Sequence, residues 1–209
     1  MNKGIFITFE GPEGSGKSTQ LRLLAEWLKS RGVPVLVTGE PGGSHLGKKL
    51  RHLLLHSRVK PCSEAELFLF LADRADHVSA ILRPALERGW VVLCDRYIDS
   101  TLAYQGGGRG LPMARLKRLN REATGGLRPD VTFLLDLPVE TGLARAGKRS
   151  NGKVDRMERE ELVFHRAVRS VFLRLAKQEP KRFRLLDGRR KPEALRAEII
   201  ETLSHRWKV

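Results

Sequence analysis

Apolar residues in this chain follow two rhythms. Short unbroken runs, Ile5 to Phe9, Val33 to Thr38, Trp90 to Cys94, Val131 to Leu137 and Phe183 to Leu186, predict five strands buried on both faces. Between them the apolar positions recur at three and four. Leu21, Leu24, Ala25 and Leu28 mark one face of a helix from Ser18 to Ser30, with Gly32 as its stop. Leu46, Leu50, Leu53 and Leu54 mark a helix from Leu46 to His56. Ser63-Glu64-Ala65-Glu66 reads as a capping box opening a long helix from about Glu64 to Arg88, in which Pro84 should bend or interrupt the last turns. Helices also fit Pro112 to Ala123, Pro138 to Ala146, Glu158 to Gln178 and Lys191 to Arg206, while Gly106 to Gly110 reads as a loop.

Strands alternating with helices predict an α/β chain with a parallel sheet covered on both faces. No repeat, low-complexity stretch or linker divides the 209 residues, so a single domain over 1–209 is expected. In such sheets ligands gather at the carboxyl ends of the strands. Three candidate segments lie at strand ends: Gly11 to Ser18, Glu40-Pro41-Gly42-Gly43 and Asp95-Arg96.

Composition narrows this picture only modestly. Hydrophobic residues make up 41% and charged residues 30%, as in a globular protein. Cys62 and Cys94 lie far apart and the six histidines are scattered, which argues against zinc and a disulfide framework. No apolar run approaches membrane-spanning length and no signal segment precedes the first strand, so no membrane partner and a cytoplasmic location are expected. The net charge of +15 raises nucleic acid as a partner, but no basic stretch carries interleaved aromatics, so a base-stacking platform is not indicated.

Gly11-Pro12-Glu13-Gly14-Ser15-Gly16-Lys17-Ser18 is a complete G-x-x-x-x-G-K-[ST] motif between a strand and a helix. Its glycines let the backbone N–H groups curl around a phosphate chain, and the helix N-terminus adds partial positive charge. Gly11, Glu13, Gly14, Ser15, Gly16, Lys17, Ser18 and Thr19 are therefore the candidate ATP-binding residues. Lys17 suits the β- and γ-phosphates, and Ser18 suits Mg²⁺. Asp95, ending an apolar strand, is placed as a Mg²⁺-associated carboxylate would be. Arg96 and Arg51 are candidate clamps for an anionic acceptor. No N-K-x-D guanine reader is present, which argues against a GTPase. The segment at about 145–157 is polar and basic, and reads either as a solvated loop or as a mobile lid over the reacting phosphates.

With these residues in view, the chain resembles the thymidylate kinase family over essentially its whole length. The most specific stretch runs Asp95-Arg96-Tyr97-Ile98-Asp99-Ser100-Thr101-Leu102-Ala103-Tyr104-Gln105-Gly106, similar to the family's D-R-[YFH]-x-x-S-x-x-A-Y-Q-G. Glu13, Glu40-Pro41-Gly42-Gly43 with Arg51, and Phe70-Leu71-Ala72-Asp73-Arg74 also match. The resemblance implies a three-layer P-loop NTPase fold, a five-stranded parallel sheet flanked by helices, with a short basic lid. It implies ATP- and Mg²⁺-dependent phosphorylation of dTMP to dTDP, on the route to dTTP, by a homodimer. The dTMP site would comprise Glu13, Glu40, Arg51, Phe70, Arg74, Arg96, Ser100, Thr101, Tyr104 and Gln105. Within it, Phe70 stacks on thymine and Arg74 bonds its carbonyl edge. Arg51 and Arg96 hold the phosphate, Glu13 approaches the 3′-hydroxyl, and Tyr104 leaves no room for a 2′-hydroxyl. Asp95 and Glu40, with Ser18, would position Mg²⁺, partly through water. Lys17, Arg96 and Asp95 would be catalytic, joined by a lid arginine, Arg149 first and Arg145 second. The lid takes that role because Gly14 stands where one branch of the family carries a P-loop arginine. Gly39 departs from the arginine common before the Glu-Pro-Gly-Gly loop. Another nucleoside monophosphate or deoxynucleoside kinase is the nearest alternative. A basic nucleic-acid-binding ATPase is the alternative of a different class, carried by the charge alone.

Overall fold

In a computed structural model, residues 4–149 and 155–207 are described. Five strands, β1 Ile5–Glu10, β2 Val35–Gly39, β3 Val91–Asp95, β4 Val131–Asp136 and β5 Phe183–Asp187, form one sheet in the order β2-β3-β1-β4-β5. Every pairing is parallel. The five predicted strands are all present, shifted by a residue or two at their ends. β1, β3 and β4 are buried almost throughout, as their apolar runs require, whereas the edge strands β2 and β5 are half exposed and leave Val37 and Leu185 facing outward.

Each side of the sheet has its own core, giving three layers. On one side Ile7, Phe9, Phe133 and Leu135 pack against Leu24 and Leu28 of α1 (Lys17–Ser30) and Ile199 of α9 (Pro192–Trp207). On the other, Phe6 and Val92 meet Val78 and Leu82, and Leu134 meets Leu67, Phe164 and Phe172. This second layer holds α2 (His45–Arg51), α3 (Ser63–His77), α4 (Arg83–Glu87), α5 (Ile98–Thr101), α6 (Met113–Thr124) and α8 (Leu162–Gln178). α7 (Val139–Arg149) follows β4. Among the described residues no helix is long and apolar enough to cross a membrane.

Several local expectations are corrected. Leu46 is exposed, because α2 buries Gly47 against Asp73 and turns its first residues outward. Ser63 does not cap α3. The N-cap is Cys62, with no side-chain bond, because Glu66 is drawn inward by Gln105, Arg109 and Arg156. Pro84 does not break the helix. The turn before it widens to a π-helix over Val78–Leu82, with Arg83 N bonded to Val78 O, which relieves the clash a proline ring makes four residues back. Gly106 to Gly108 are helical, inside a second widened stretch, Leu102–Gly108, that continues α5. These glycines serve close packing. A Cβ on Gly108 would stand 2.2 Å from the Phe164 ring, and one on Gly107 2.7 Å from Val171. Finally, α8 begins at Leu162, four residues later than expected. Asp155 and Glu158 form a turn of their own, with Asp155 Oδ1 accepting from the N–H groups of Met157 and Glu158, and Glu158 Oε2 accepting from Asp155 N.

Candidate active site

The phosphate loop joins β1 to α1. It turns through Gly11, Gly14 and Gly16 at φ of +141°, +65° and +98°, a backbone region that side chains rarely tolerate. Space is also limiting there: a Cβ on Gly14 would lie 2.0 Å from Gly142 O. Gly16 is the N-cap of α1, so the free N–H groups of a 14-residue helix open onto the loop. Lys17 is buried, and its Nζ donates to Gly11 O at 3.0 Å and Pro12 O at 2.8 Å. Burial, with Arg96 nearby, pulls the Lys17 amine down to about 8, opposed by Glu13, Asp95 and Glu10.

Across the loop stands Arg96, at the end of β3. Its Nη2 donates to Glu13 Oε1 at 2.6 Å, and its guanidinium lies over the Tyr104 ring. Tyr104 donates its hydroxyl to the same Glu13 oxygen at 2.7 Å. Burial favours a neutral Glu13, but Arg96 and Lys17 outweigh it and hold the carboxyl at about 2. Glu13 is thus an ionised bridge between the phosphate loop and the helix after β3.

A cavity of about 470 Å³ runs between these groups. Glu13 to Ser18 form one wall, and Gly39 to Gly42 with Arg51 form another. Phe70, Ser100, Thr101, Tyr104 and Gln105 line the far end. The sequence assignments that converge here are therefore Glu13, Gly14, Ser15, Gly16, Lys17, Ser18, Glu40, Arg51, Phe70, Arg74, Asp95, Arg96, Ser100, Thr101, Tyr104 and Gln105. Ser18 Oγ donates to Asp95 Oδ2 at 2.9 Å, and Asp95 Oδ1 is buried with no hydrogen-bond partner. Gly39 abuts this carboxylate: a Cβ there would lie 3.0 Å from Asp95 O and 3.2 Å from Asp95 Cβ.

The remaining assigned residues have the following surroundings. Arg74 is buried with every nitrogen engaged. Nε bonds Glu40, Nη1 bonds Thr101 Oγ1 and Asn120 Oδ1, and Nη2 bonds Tyr97 O. It is a hub of the pocket wall, lining the cavity while its nitrogens hold Glu40, Thr101, Asn120 and Tyr97 O. Glu40, also in the cavity lining, belongs to that hub, accepting from Arg74 at 2.8 Å and bonding His77 Nδ1 at 2.9 Å. Arg145 is outside the cavity lining; its Nη1 donates at 2.8 Å to Gly188 O, and Gly188 packs beside Ser15 of the phosphate loop, where a Cβ would lie 3.1 Å from Ser15 O. Thr19 is exposed on α1, outside the cavity lining, and Gly11 contributes only its carbonyl. Arg149 ends α7, and its side chain lies outside the described part, as do residues 150–154 of the expected lid.

The sequence reading missed several residues that build the site. Asp73 accepts from Gly42 N at 2.9 Å, and its carboxyl is raised to about 6 by burial and by Glu40. With His77 it ties the Glu40 loop to α3. Asp155 and Met157, at the end of the expected lid, and Glu158 just after it line the cavity, and the Asp-x-x-Glu spacing there is a capping-box signal that was legible. Glu10 and Asn120 carried no motif at all.

A phosphate loop facing an acceptor-side arginine in one cleft defines a P-loop NTPase of the phosphoryl-transfer kind. The thymidylate kinase family profile matches residues 9–199, and the chain belongs to that family. It is 56% identical over 195 residues to a thymidylate kinase of Desulfovibrio desulfuricans, covering 90% of each chain. To that of Deinococcus radiodurans it is 51% identical, covering 99% of each. The crystal structure of thymidylate kinase from Ehrlichia chaffeensis superposes with a TM-score of 0.79 at 35% identity, covering 97% of this chain and 99% of that one.

Proposed function

We propose that this chain phosphorylates dTMP to dTDP with ATP, and that the cleft between Lys17 and Arg96 is where the two phosphates meet. The observation that carries this is the Glu13 bridge: one ionised carboxylate joins the loop that cradles ATP to the Arg96 that clamps the acceptor. The acceptor is a phosphate monoester already ionised near neutral pH, so no general base is needed. The work is alignment and neutralisation of charge. Lys17 and the N-terminus of α1 draw the β- and γ-phosphates. Arg96, with Arg51 donating to Pro41 O at the rim, holds the dTMP phosphate. Phe70 supplies a flat apolar face for thymine, Thr101 and Gln105 line the base pocket, and Tyr104 closes the space a 2′-hydroxyl would need. Arg74 sets the position of Thr101 from behind.

Mg²⁺ belongs to the same reading. The unpartnered Asp95 Oδ1 and the neighbouring Ser18 hydroxyl are hard oxygen donors suited to a cation that keeps most of its other ligands as water and phosphate. When bound it offsets charge on the β- and γ-phosphates. With Gly14 in the loop, the further cation falls to the lid, and Arg149 is the candidate. The partners are ATP, dTMP and a second copy of the chain. Phe68, half exposed on α3 under the Arg115 guanidinium, supports a homodimer through that helix. The expected compartment is the cytoplasm.

The test is an acceptor panel of dTMP, dUMP, dCMP, dGMP and thymidine with ATP and Mg²⁺. The expected result is a clear preference for dTMP, and a preference for another acceptor would overturn the assignment. Light scattering on the same sample should give twice the mass of one chain.

A further inference from the structure

The last residue of β1 is a carboxylate at the edge of the site that carries no motif. Glu10 is fully buried. Both its oxygens serve one short stretch of chain: Oε1 accepts from Tyr97 N at 2.8 Å, and Oε2 accepts from Ser100 Oγ at 2.6 Å. That stretch begins with Arg96, whose φ of +69° is the one left-handed value among the described non-glycine residues. Such a conformation is strained for a residue with a Cβ and persists only where its surroundings over-determine it. Here they do. Arg96 N is held by Phe9 O at 3.0 Å, and the next N–H by Glu10. The side chain is reached as well, because Ser100 Oγ lies 3.4 Å from Arg96 Nη1 while Nη2 meets Glu13.

Retaining this group is costly. Burial, and then Asp99, push the Glu10 carboxyl up to about 8, offset only in part by Ser100, Arg96 and Tyr97. An apolar residue would close the strand end without that cost. We propose that Glu10 is the positioning residue for Arg96, fixing through Tyr97 N and Ser100 Oγ where the guanidinium meets the acceptor phosphate. The inference rests on Arg96 being that phosphate's clamp.

Three variants and one control separate this role from a purely structural one. In Glu10→Gln the amide oxygen still accepts from Tyr97 N and the amide nitrogen donates to Ser100 Oγ, so kcat and both KM values should stay near native. Glu10→Asp retracts the carboxylate by one methylene, and Glu10→Ala removes it. Both should lose roughly 100-fold in kcat at unchanged KM for ATP, the scale expected when a reacting group is displaced by about 1 Å. A folded Glu10→Ala with native kcat would overturn the proposal. So would a Glu10→Gln as slow as Glu10→Ala. Should Glu10→Ala not fold, Asp against Gln decides, and equal kcat in those two is the overturning result. Arg96→Ala is the control. Native turnover there would remove Arg96 as the clamp and leave the Glu10 contacts without that purpose, whereas a dead Arg96→Ala beside native Glu10 variants would sink the Glu10 role alone.

Discussion

The two walls of the cleft are built by different means. The wall proposed for ATP is eight consecutive residues, Gly11 to Ser18, which would meet the phosphates chiefly through backbone N–H groups and one lysine. The wall proposed for the acceptor draws Glu13, Arg51, Phe70, Arg96 and Tyr104 from four separate parts of the chain, with Arg96 and Tyr104 both held on Glu13 and the neighbouring Glu40 held by Arg74 and His77. The first wall is made by conformation, the second by charge networks. A conformational site tolerates change wherever φ is ordinary. A network site transmits any change to all its members.

The largest test of this contrast is Lys17→Ala. It removes the one side chain on which the first wall depends, so turnover should fall by roughly 10³-fold or more while the melting temperature stays close to native. A large loss of stability would show that the loop, too, is held by its side chain. Arg74→Ala probes the other wall from behind. It leaves Glu40 buried without its strongest partner, so the expected cost is stability, about 3–5 kcal/mol by urea unfolding. A stable Arg74→Ala with a raised KM for dTMP would instead return Arg74 to the role of direct base contact. A smaller effect is expected for Phe70→Ala. Loss of a stacking face costs about 1–3 kcal/mol per base, so KM for dTMP should rise roughly tenfold with kcat and KM for ATP little changed. A changed ATP constant would place Phe70 outside the acceptor wall.

The smallest effect concerns pH. The Glu13 carboxyl titrates near 2 in the folded chain, below its ordinary 4.5. The folded state therefore binds fewer protons than the unfolded one between these values. Its contribution to stability is full above about 4.5 and is lost as pH falls toward 2. Replacing Glu13 by Gln should flatten the acid limb of a stability-against-pH curve in that window. An unchanged limb would mean that the bridge adds nothing to folding.

This contrast also explains what the sequence disclosed. The strands, most helices and the phosphate loop were legible because their causes are local: apolar period, glycine placement, a strand followed by a helix. What escaped local reading in the site and the glycine helix has one origin. Glu66 looks like a capping residue until Arg109 and Arg156 arrive from 43 positions away and beyond and claim it. Gly106 to Gly108 look like a loop until α6 is seen pressing against Gly106 and α8 against Gly107 and Gly108. Arg74 shares a helical face with Phe70, yet its acceptors, Glu40, Thr101 and Asn120, are scattered along the chain. Glu10 was passed over because nothing in β1 hints that its partners come from residues 97 and 100. Long-range polar partners leave no local trace, and the acceptor wall is made of them.

The strand order has a consequence for the chain as it is synthesised. β1 lies at the centre of the sheet, yet it precedes the other four strands in the chain. Its β3 neighbour completes only at Asp95 and its β4 neighbour only at Asp136. One edge of β1 thus stays unpaired until Asp95 has been made and the other until Asp136, and the phosphate loop gains its packing against Leu135 and Gly142 only at that later stage. When β3 pairs, Arg96 N–H finds Phe9, Glu10 finds Tyr97, and the two walls of the cleft are joined before the second half of the sheet exists. The contacts that join the two walls are thus among the first long-range contacts the chain can make.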